Sequence, residues 1–331
     1  MLLQKIYRKN SKMKTNLKVT KEELEAHLQK YFELGKLLSF EKLKKGLANN
    51  LYYLKTTKGE FTLKVAIRHN SKKINYEIDL LNALKNLPTP KPLKTKTGKY
   101  LSDFKQHKTF LYTFLMGNEK QEFNTRMLTQ IGEFLGKLHL QTENFTSSIK
   151  RTEFYSVSKK ILERVWQENN QSKNKKVREA ILYLKNNALK YQLPNNLPTG
   201  AMHMDVKPEN TLFVKSKLSG VVDFDNAYNG PLIFDLADTV IWFSSKEGRF
   251  NKKRARIILR GYQKVRKLNK KEKGNFPKAL NGVVHGLVLH CLDYVSHQKL
   301  PEAYGIWVID NLLETEKGLK FSEAELKKML S

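Results

Sequence analysis

Residues 202–238 read MHMDVKPENTLFVKSKLSGVVDFDNAYNGPLIFDLAD, and this stretch decides the fold. It begins with the spacing His203-x-Asp205-x-x-x-x-Asn210, and 13 residues after Asn210 an apolar run ends in Asp223. This order of an aspartate, an asparagine and a second aspartate at the end of a strand is a specific pattern. Helix capping would explain the residue types, but it would explain neither their spacing nor their order.

The three polar residues suit the chemistry of phosphoryl transfer. That reaction needs metal ions that bridge the phosphates, a carboxylate at the acceptor hydroxyl and cations near the phosphates. We expect Asp205 to orient or deprotonate the acceptor. We expect Asn210 and Asp223 to hold Mg²⁺, because carboxylate and amide oxygens are the hard ligands that this ion prefers.

The chain before this stretch predicts a small sheet. Thr20 and Glu23 have the spacing of a capping box, which begins a helix. Residues 51–57 and 61–67 are rich in β-forming residues on either side of Lys58-Gly59, which predicts a hairpin.

Helices dominate after this first part. Strands early and helices late predict a two-lobed α+β fold, with a small antiparallel-sheet N-lobe and a larger helical C-lobe. The predicted boundaries are a flexible basic extension over 1–18, a nucleotide-binding N-lobe over 19–117, and a C-lobe over 118–331 that carries the catalytic loop and the acceptor site.

Composition narrows the possible partners. The 331 residues include 61 Lys and Arg against 32 Asp and Glu, a formal net charge of +29. Lys outnumbers Arg by 50 to 11, and Arg is the residue preferred for bidentate phosphate and base contacts. We therefore expect solvated surface lysines rather than a nucleic-acid interface. The sequence lacks the run of about 18 apolar residues that a transmembrane helix needs, and Cys291 is its only cysteine. These features favour a cytoplasmic protein without a membrane partner, and they leave the oligomeric state open.

Two stretches carry a family resemblance: IGEFLGKLHL at 131–140 and LPTGAMHMDVKPENTLF at 197–213. With them the chain resembles the protein-kinase-like small-molecule phosphotransferases, the group of aminoglycoside phosphotransferases and choline kinases. Within this group it is most similar to the type II homoserine kinases, from about Val19 to the C-terminus. The resemblance implies that ATP and Mg²⁺ are used to phosphorylate a small hydroxyl-bearing substrate, L-homoserine to O-phosphohomoserine.

The resemblance also implies roles for further residues. Lys64 lies at the strand position of the lysine that binds the α- and β-phosphates, and Glu77 on the next helix would be its ion-pair partner. Without the motif downstream, both would be interpreted as solvated surface residues. The other implied residues are Gly46 and Asn50 in the loop that covers the nucleotide, Phe114 and Met116 at the edge that receives adenine, and Lys207 beside the catalytic Asp205.

Three alternatives stay open on the sequence. An aminoglycoside, choline, amino-alcohol or sugar kinase of the same fold is one, because Lys207 and Asp225-Asn226 depart from the homoserine kinase pattern near the acceptor. A protein kinase is less favoured, because Asp235 follows Asp223 by only 12 residues, which leaves no room for an activation segment. A non-catalytic relative that binds nucleic acid is supported by the net charge alone.

Two residues of the decisive stretch are interpreted as structural. Asp235 matches a family aspartate that is expected to brace the catalytic loop. His203 is expected to be packed and hydrogen-bonded in that loop rather than to act as an acid or base.

Overall fold

The computed structural model describes residues 17–43, 49–67, 71–143, 145–147, 149 and 157–330. The predicted extension over 1–18 lies almost entirely outside these residues, and so does Gly46. Within them the chain forms an antiparallel sheet first and a set of helices afterwards, which confirms the predicted α+β fold.

The N-terminal part is an antiparallel sheet with the strand order β1-β2-β3-β6-β4, and β5 pairs with β6. Its strands are β1 (Leu37–Lys42), β2 (Asn50–Thr56), β3 (Gly59–Val65), β4 (Pro92–Leu93), β5 (Ser102–Phe104) and β6 (His107–Thr113). Two helices accompany them, α1 (Lys21–Tyr31) and α2 (Ser71–Ala83).

The capping box and the hairpin turn predicted from the sequence are both present in this part of the structure. The capping box is formed, with Thr20 and Glu23 exchanging side chain-to-backbone hydrogen bonds at the start of α1. The hairpin is also formed, because Thr56 pairs with Gly59 across the turn. Gly59 has a φ of 138°, which residues with a side chain rarely adopt.

The C-terminal part is mainly helical. Its helices are α3 (Thr125–Thr142), α4 (Lys159–Asn169), α5 (Lys175–Asn187), α6 (Leu232–Ser244), α7 (Lys252–Val265), α8 (Lys270–Ser296), α9 (Glu302–Lys317) and α10 (Glu323–Leu330). Short strand pairs lie between them: β7 (Thr199–Met202) with β10 (Tyr228–Pro231), β8 (Thr211–Val214) with β9 (Lys217–Val221), and β11 (Ser245–Lys246) with β12 (Arg249–Phe250). In the described parts of the chain, every helix is too short or too polar to cross a lipid bilayer.

Helices α3 and α7 pack backbone against backbone. A Cβ atom added to Gly132 would lie 2.1 Å from the carbonyl oxygen of Ile258, and one added to Gly261 would lie 2.4 Å from that of Thr129. Glycine at both crossing points therefore allows a close approach that any larger residue would prevent.

Helix α2 belongs to two apolar clusters. Ile74 and Ile78 pack with Phe110 of the sheet. Leu80 and Leu81, on the same helix, are part of the large cluster formed by the C-terminal helices. The apolar core therefore continues across the region between the predicted lobes, and the boundary at residues 117 and 118 stays a prediction.

Candidate active site

A buried aspartate holds the loop that carries Asp205. The carboxylate of Asp235, on α6, accepts hydrogen bonds from the backbone amides of His203 and Met204, each at 2.8 Å. It also lies 3.0 Å from His139 Nε2. Met204 has a φ of 57°, a left-handed conformation that is unfavourable for a residue with a side chain. Asp235 thus fixes the loop in a strained conformation, in agreement with the bracing role expected of it.

Burial and hydrogen bonding set the charge states of Asp235 and of the neighbouring His203. Burial alone would raise the pKa of Asp235, but hydrogen bonds from His139 and the loop keep that pKa below its ordinary value. Burial lowers the pKa of His203, so its ring is neutral near pH 7. The His203 Nε2 atom lies 3.2 Å from the carbonyl oxygen of Val222, and the ring packs on Phe224 with 4.3 Å between centroids. These contacts fit the packed role interpreted from the sequence.

Asp205, Lys207 and Asn210 form one group. Lys207 Nζ lies 2.8 Å from Asp205 Oδ1. Asn210 Nδ2 donates hydrogen bonds to the backbone oxygen and to Oδ2 of Asp205, both at 2.9 Å. Burial alone would lower the pKa of Lys207, but Asp205 raises it above its ordinary value, so the ammonium is charged. Because the nitrogen of the Asn210 amide is engaged by Asp205, its oxygen is the atom suited to a metal ion.

Asp223 lies next to this group. The backbone amide of Val222 donates to the carbonyl oxygen of Asn210 at 3.0 Å, which ties the two predicted metal ligands together. Asp223 itself is left-handed, with φ 68° and ψ 68°. Burial and repulsion from Asp225 raise the pKa of Asp223 to about 6, against the attraction of Lys64.

Lys64 is at the centre of a second charged cluster. It is only 3% exposed, and its Nζ donates to Glu77 Oε1 at 3.0 Å and to Glu77 Oε2 at 2.8 Å. It also forms an ion pair with Asp225, whose other oxygen accepts a hydrogen bond from Asn49 Nδ2 at 2.6 Å. Burial alone would lower the pKa of Lys64, but Asp225 and Glu77 raise it well above its ordinary value.

The charges of the site fit a divalent cation. When all are ionised, Glu77, Asp205, Asp223 and Asp225 provide four negative charges, whereas Lys64 and Lys207 provide two positive ones. The raised pKa of Asp223 is a sign of this excess, because a buried carboxylate near another acid is stabilised by added positive charge. The carboxylate of Asp223 and the amide oxygen of Asn210 are also donor types of a Mg²⁺ or Ca²⁺ site.

The three described residues predicted to bind the rest of the nucleotide lie outside the two charged groups around Asp205 and Lys64. Phe114 is partly buried, with its ring 4.7 Å from that of Tyr53. Met116 is 63% exposed. Asn50 is buried at the start of β2, opposite Val65. The nucleotide-binding roles of these three residues therefore stay predictions.

Two residues of the Lys64 cluster were missed in the sequence. The family resemblance implies a role for Asn50, but the side chain that donates a hydrogen bond to Asp225 is that of Asn49. Asp225 was interpreted only as a departure on the acceptor side, yet it contacts the phosphate-binding candidate Lys64. The position of Asp225, two residues after Asp223, is a sequence feature that could have indicated its place in the site. The neighbouring sequence contains no feature that distinguishes Asn49 from Asn50.

Comparison with known proteins places this geometry in a family. The model of the phosphotransferase enzyme family matches residues 39–268. A homoserine kinase from Agrobacterium fabrum is 30% identical over 269 residues, which cover 80% of this chain and 82% of the relative. A homoserine kinase from Bradyrhizobium diazoefficiens is 29% identical over 290 residues, which cover 84% of this chain and 86% of the relative.

Solved structures show the same fold. An amicoumacin kinase in complex with AMP-PNP and Ca²⁺ superposes with a TM-score of 0.69 at 17% identity, covering 96% of each chain. A microcompartment-associated aminopropanol kinase superposes with a TM-score of 0.65 at 16% identity, covering 90% of this chain and 98% of its own. The two-lobed protein-kinase-like fold expected from the sequence is therefore confirmed. The chain belongs to the phosphotransferase enzyme family, and it is an ATP-dependent small-molecule kinase.

Proposed function

We propose that the protein transfers the γ-phosphoryl group of Mg-ATP to the side-chain hydroxyl of L-homoserine. The observation that carries the proposal is the group formed by Asp205, Lys207 and Asn210 beside Asp223, in a loop held by the buried Asp235. The homoserine kinases that resemble most of the chain support this acceptor.

The nucleotide is assigned to residues 19–117. Lys64, held by Glu77, binds the phosphates, because a fixed ammonium group there stabilises charge without reorganisation. Nucleotide binding is also assigned to Gly46, outside the described residues, and to Asn50 at the start of β2. Phe114 and Met116 are assigned to the edge for adenine.

The metal and the acceptor are assigned to residues 118–331. Asn210 and Asp223 hold Mg²⁺, which when bound neutralises negative charge on the phosphates. Asp205 receives the hydrogen bond of the acceptor hydroxyl and takes its proton as the oxygen attacks. Lys207 forms an ion pair with Asp205 and adds positive charge beside the group in transfer.

The test is ADP release from Mg-ATP with L-homoserine, compared with choline, methylthioribose and an aminoglycoside. The Asp223→Ala variant serves as the blank, because it removes a metal ligand outside the acceptor contact. We expect turnover that depends on homoserine and is absent from the blank. Turnover on another member of the panel alone would reject homoserine and keep the kinase. Replacing Mg²⁺ by Ca²⁺ or Mn²⁺ in the same assay tests the choice of metal.

A further inference from the structure

A second carboxyl group on α6 has an unexplained environment. Asp238 is one turn beyond Asp235 and is fully buried. Its Oδ1 atom accepts a hydrogen bond from Trp242 Nε1 at 3.1 Å. Its Oδ2 atom is buried too, and no group in the described part of the chain donates a hydrogen bond to it. A buried carboxyl oxygen without a partner is costly, so a sequence without a use for it would favour an apolar residue at this position.

The place of Asp238 connects it to the catalytic loop. Lys207 Nζ, which contacts Asp205 at 2.8 Å, also lies 5.5 Å from the centre of the Trp242 ring. Trp242 in turn holds Asp238. A continuous set of contacts therefore runs from the proposed catalytic carboxylate through Lys207 and Trp242 to the orphaned oxygen of Asp238. Lys207 and Trp242 are both partly exposed, so a ligand can reach these two side chains from solvent.

The charges around Asp238 make it receptive to a cation. Burial and repulsion from Asp205 and Asp235 raise the pKa of Asp238 well above its ordinary value, and Lys207 opposes this only in part. An ammonium group would supply both the missing hydrogen-bond donor and the missing positive charge. The neighbouring Trp242 ring would add a favourable cation–π contact.

We propose that Asp238 is the residue that recognises the ammonium group of the acceptor, with Trp242 as the wall beside it. The ligand class is a small hydroxy compound with a primary amine, since a quaternary ammonium has no N–H group to donate. The inference deepens the proposed function and rests on it. It does not need the acceptor to be homoserine, because a primary amino alcohol presents the same group.

The test compares acceptors that differ only in the amine. 4-Hydroxybutyrate is homoserine without its amino group, and choline is ethanolamine with three methyl groups on nitrogen. For the wild type we expect kcat/KM to be higher for homoserine than for 4-hydroxybutyrate. In Asp238→Asn we expect kcat/KM for homoserine to fall by about 10- to 100-fold, mostly through KM, because hydrogen bonds to charged groups contribute roughly this much. The value for 4-hydroxybutyrate should change little.

Thr239→Val is the matched control. Thr239 is also fully buried on α6 and its hydroxyl also has no hydrogen-bond partner within the residues described, but its replacement leaves the carboxyl group in place. We expect this variant to keep the wild-type preference for the amine. An equal loss for both acceptors in Asp238→Asn would overturn the proposal, and so would an unchanged preference.

The wild type alone provides a second test in case Asp238→Asn does not fold. A primary amino alcohol such as ethanolamine or 1-amino-2-propanol should compete with the best acceptor, whereas choline should compete at least about tenfold less well. Equal competition by choline would overturn the role of Asp238 while the kinase activity stands. Failure of homoserine together with turnover of primary amino alcohols would reject the homoserine assignment and support the role of Asp238.

Discussion

Removing the Lys64 ammonium should destabilise the protein in a pH-dependent way. Lys64 is 3% exposed and forms ion pairs with both Glu77 and Asp225. Replacing it by Met leaves buried carboxylates without their cation. Breaking a buried ion pair by removing one partner costs about 3–5 kcal/mol, which is a large part of the roughly 5–15 kcal/mol that stabilises an ordinary domain.

The pH dependence of this loss of stability follows from the buried carboxyl groups near Lys64, beginning with Glu77. Burial already raises the pKa of Glu77 to about 8, with Lys64 opposing the rise. Without Lys64 the pKa rises further above the value in the unfolded chain. A carboxyl group whose pKa is higher in the folded state destabilises that state once the pH exceeds the unfolded pKa near 4.5. Lys64 also opposes the rise in the pKa of Asp223, which burial and Asp225 bring to about 6. For each group the difference between wild type and Lys64→Met grows only above the pKa that the group has in the wild type. The difference should therefore be flat below about pH 6, grow above it through Asp223, and grow more steeply above about pH 8 through Glu77, by up to about 1.4 kcal/mol per pH unit for each group.

The assay is urea unfolding at pH 5.5, 7.0 and 8.5, followed by tryptophan fluorescence. The control is the double variant Lys64→Met/Glu77→Gln, which removes one of the orphaned charges. We expect it to recover stability at pH 8.5 relative to Lys64→Met while staying inactive as a kinase. A loss of stability that is equal at all three pH values would refute the electrostatic reasoning, and so would a double variant no more stable than the single one.

Other substitutions test separate parts of the structure. Asp205→Asn should lower kcat by on the order of 10²–10⁴, the range for a general acid or base, with ATP affinity measured by calorimetry nearly unchanged. Gly132→Ala forces a methyl group to 2.1 Å from the carbonyl oxygen of Ile258 and should lower the free energy of unfolding by about 1–3 kcal/mol. The control Gly274→Ala has no atom near its added methyl group, so a gain of about 0.5–1 kcal/mol is expected; equal effects would contradict the close packing. Burial raises the pKa of Cys291 to about 12, so a thiol reagent at pH 8 should label it only after denaturation, and rapid native labelling would show that it is accessible.

Local signals in the sequence predicted much of the fold and the centre of the site. The spacing of Asp205, Asn210 and Asp223 indicates that they lie close together, because only a short loop and the β8–β9 strand pair separate them. Their roles stay predictions. The hairpin at Gly59 was predictable for the same reason, since a turn depends on few neighbouring residues.

The sequence predicted less well those features that depend on contacts with distant parts of the chain, namely the ends of helices and strands and the strand β1. The apolar spacing of residues 71–86 predicts a helix over that whole range, but α2 ends at Ala83. The β-rich run at 109–115 predicts a strand there, but β6 covers His107–Thr113. β1, Leu37–Lys42, was not predicted, because its stability depends on pairing with β2 rather than on its own residues. Helix and strand ends depend on packing that no short window contains.

The remaining side chains depend on contacts between distant parts of the chain. Asn49 and Asp225 are 176 residues apart in sequence and meet only in the folded protein. The choice between Asn49 and Asn50 also depends on the strand register, because successive side chains point to opposite faces. A single sequence therefore indicates the chemistry of the Asp205 loop but not the partners around Lys64.

Helix α2 limits how the two parts of the molecule can move. Its first turns pack on the sheet through Ile74 and Ile78, and its later turns pack among the C-terminal helices through Leu80 and Leu81. Glu77, between these two sets, carries the ion pair with Lys64. A rotation of the whole N-terminal part as a rigid body would therefore break the contacts of α2 with the C-terminal helices. A pivot of the sheet over α2 would keep those contacts, and the ion pair between Lys64 and Glu77 would lie close to that pivot, where displacements are smallest.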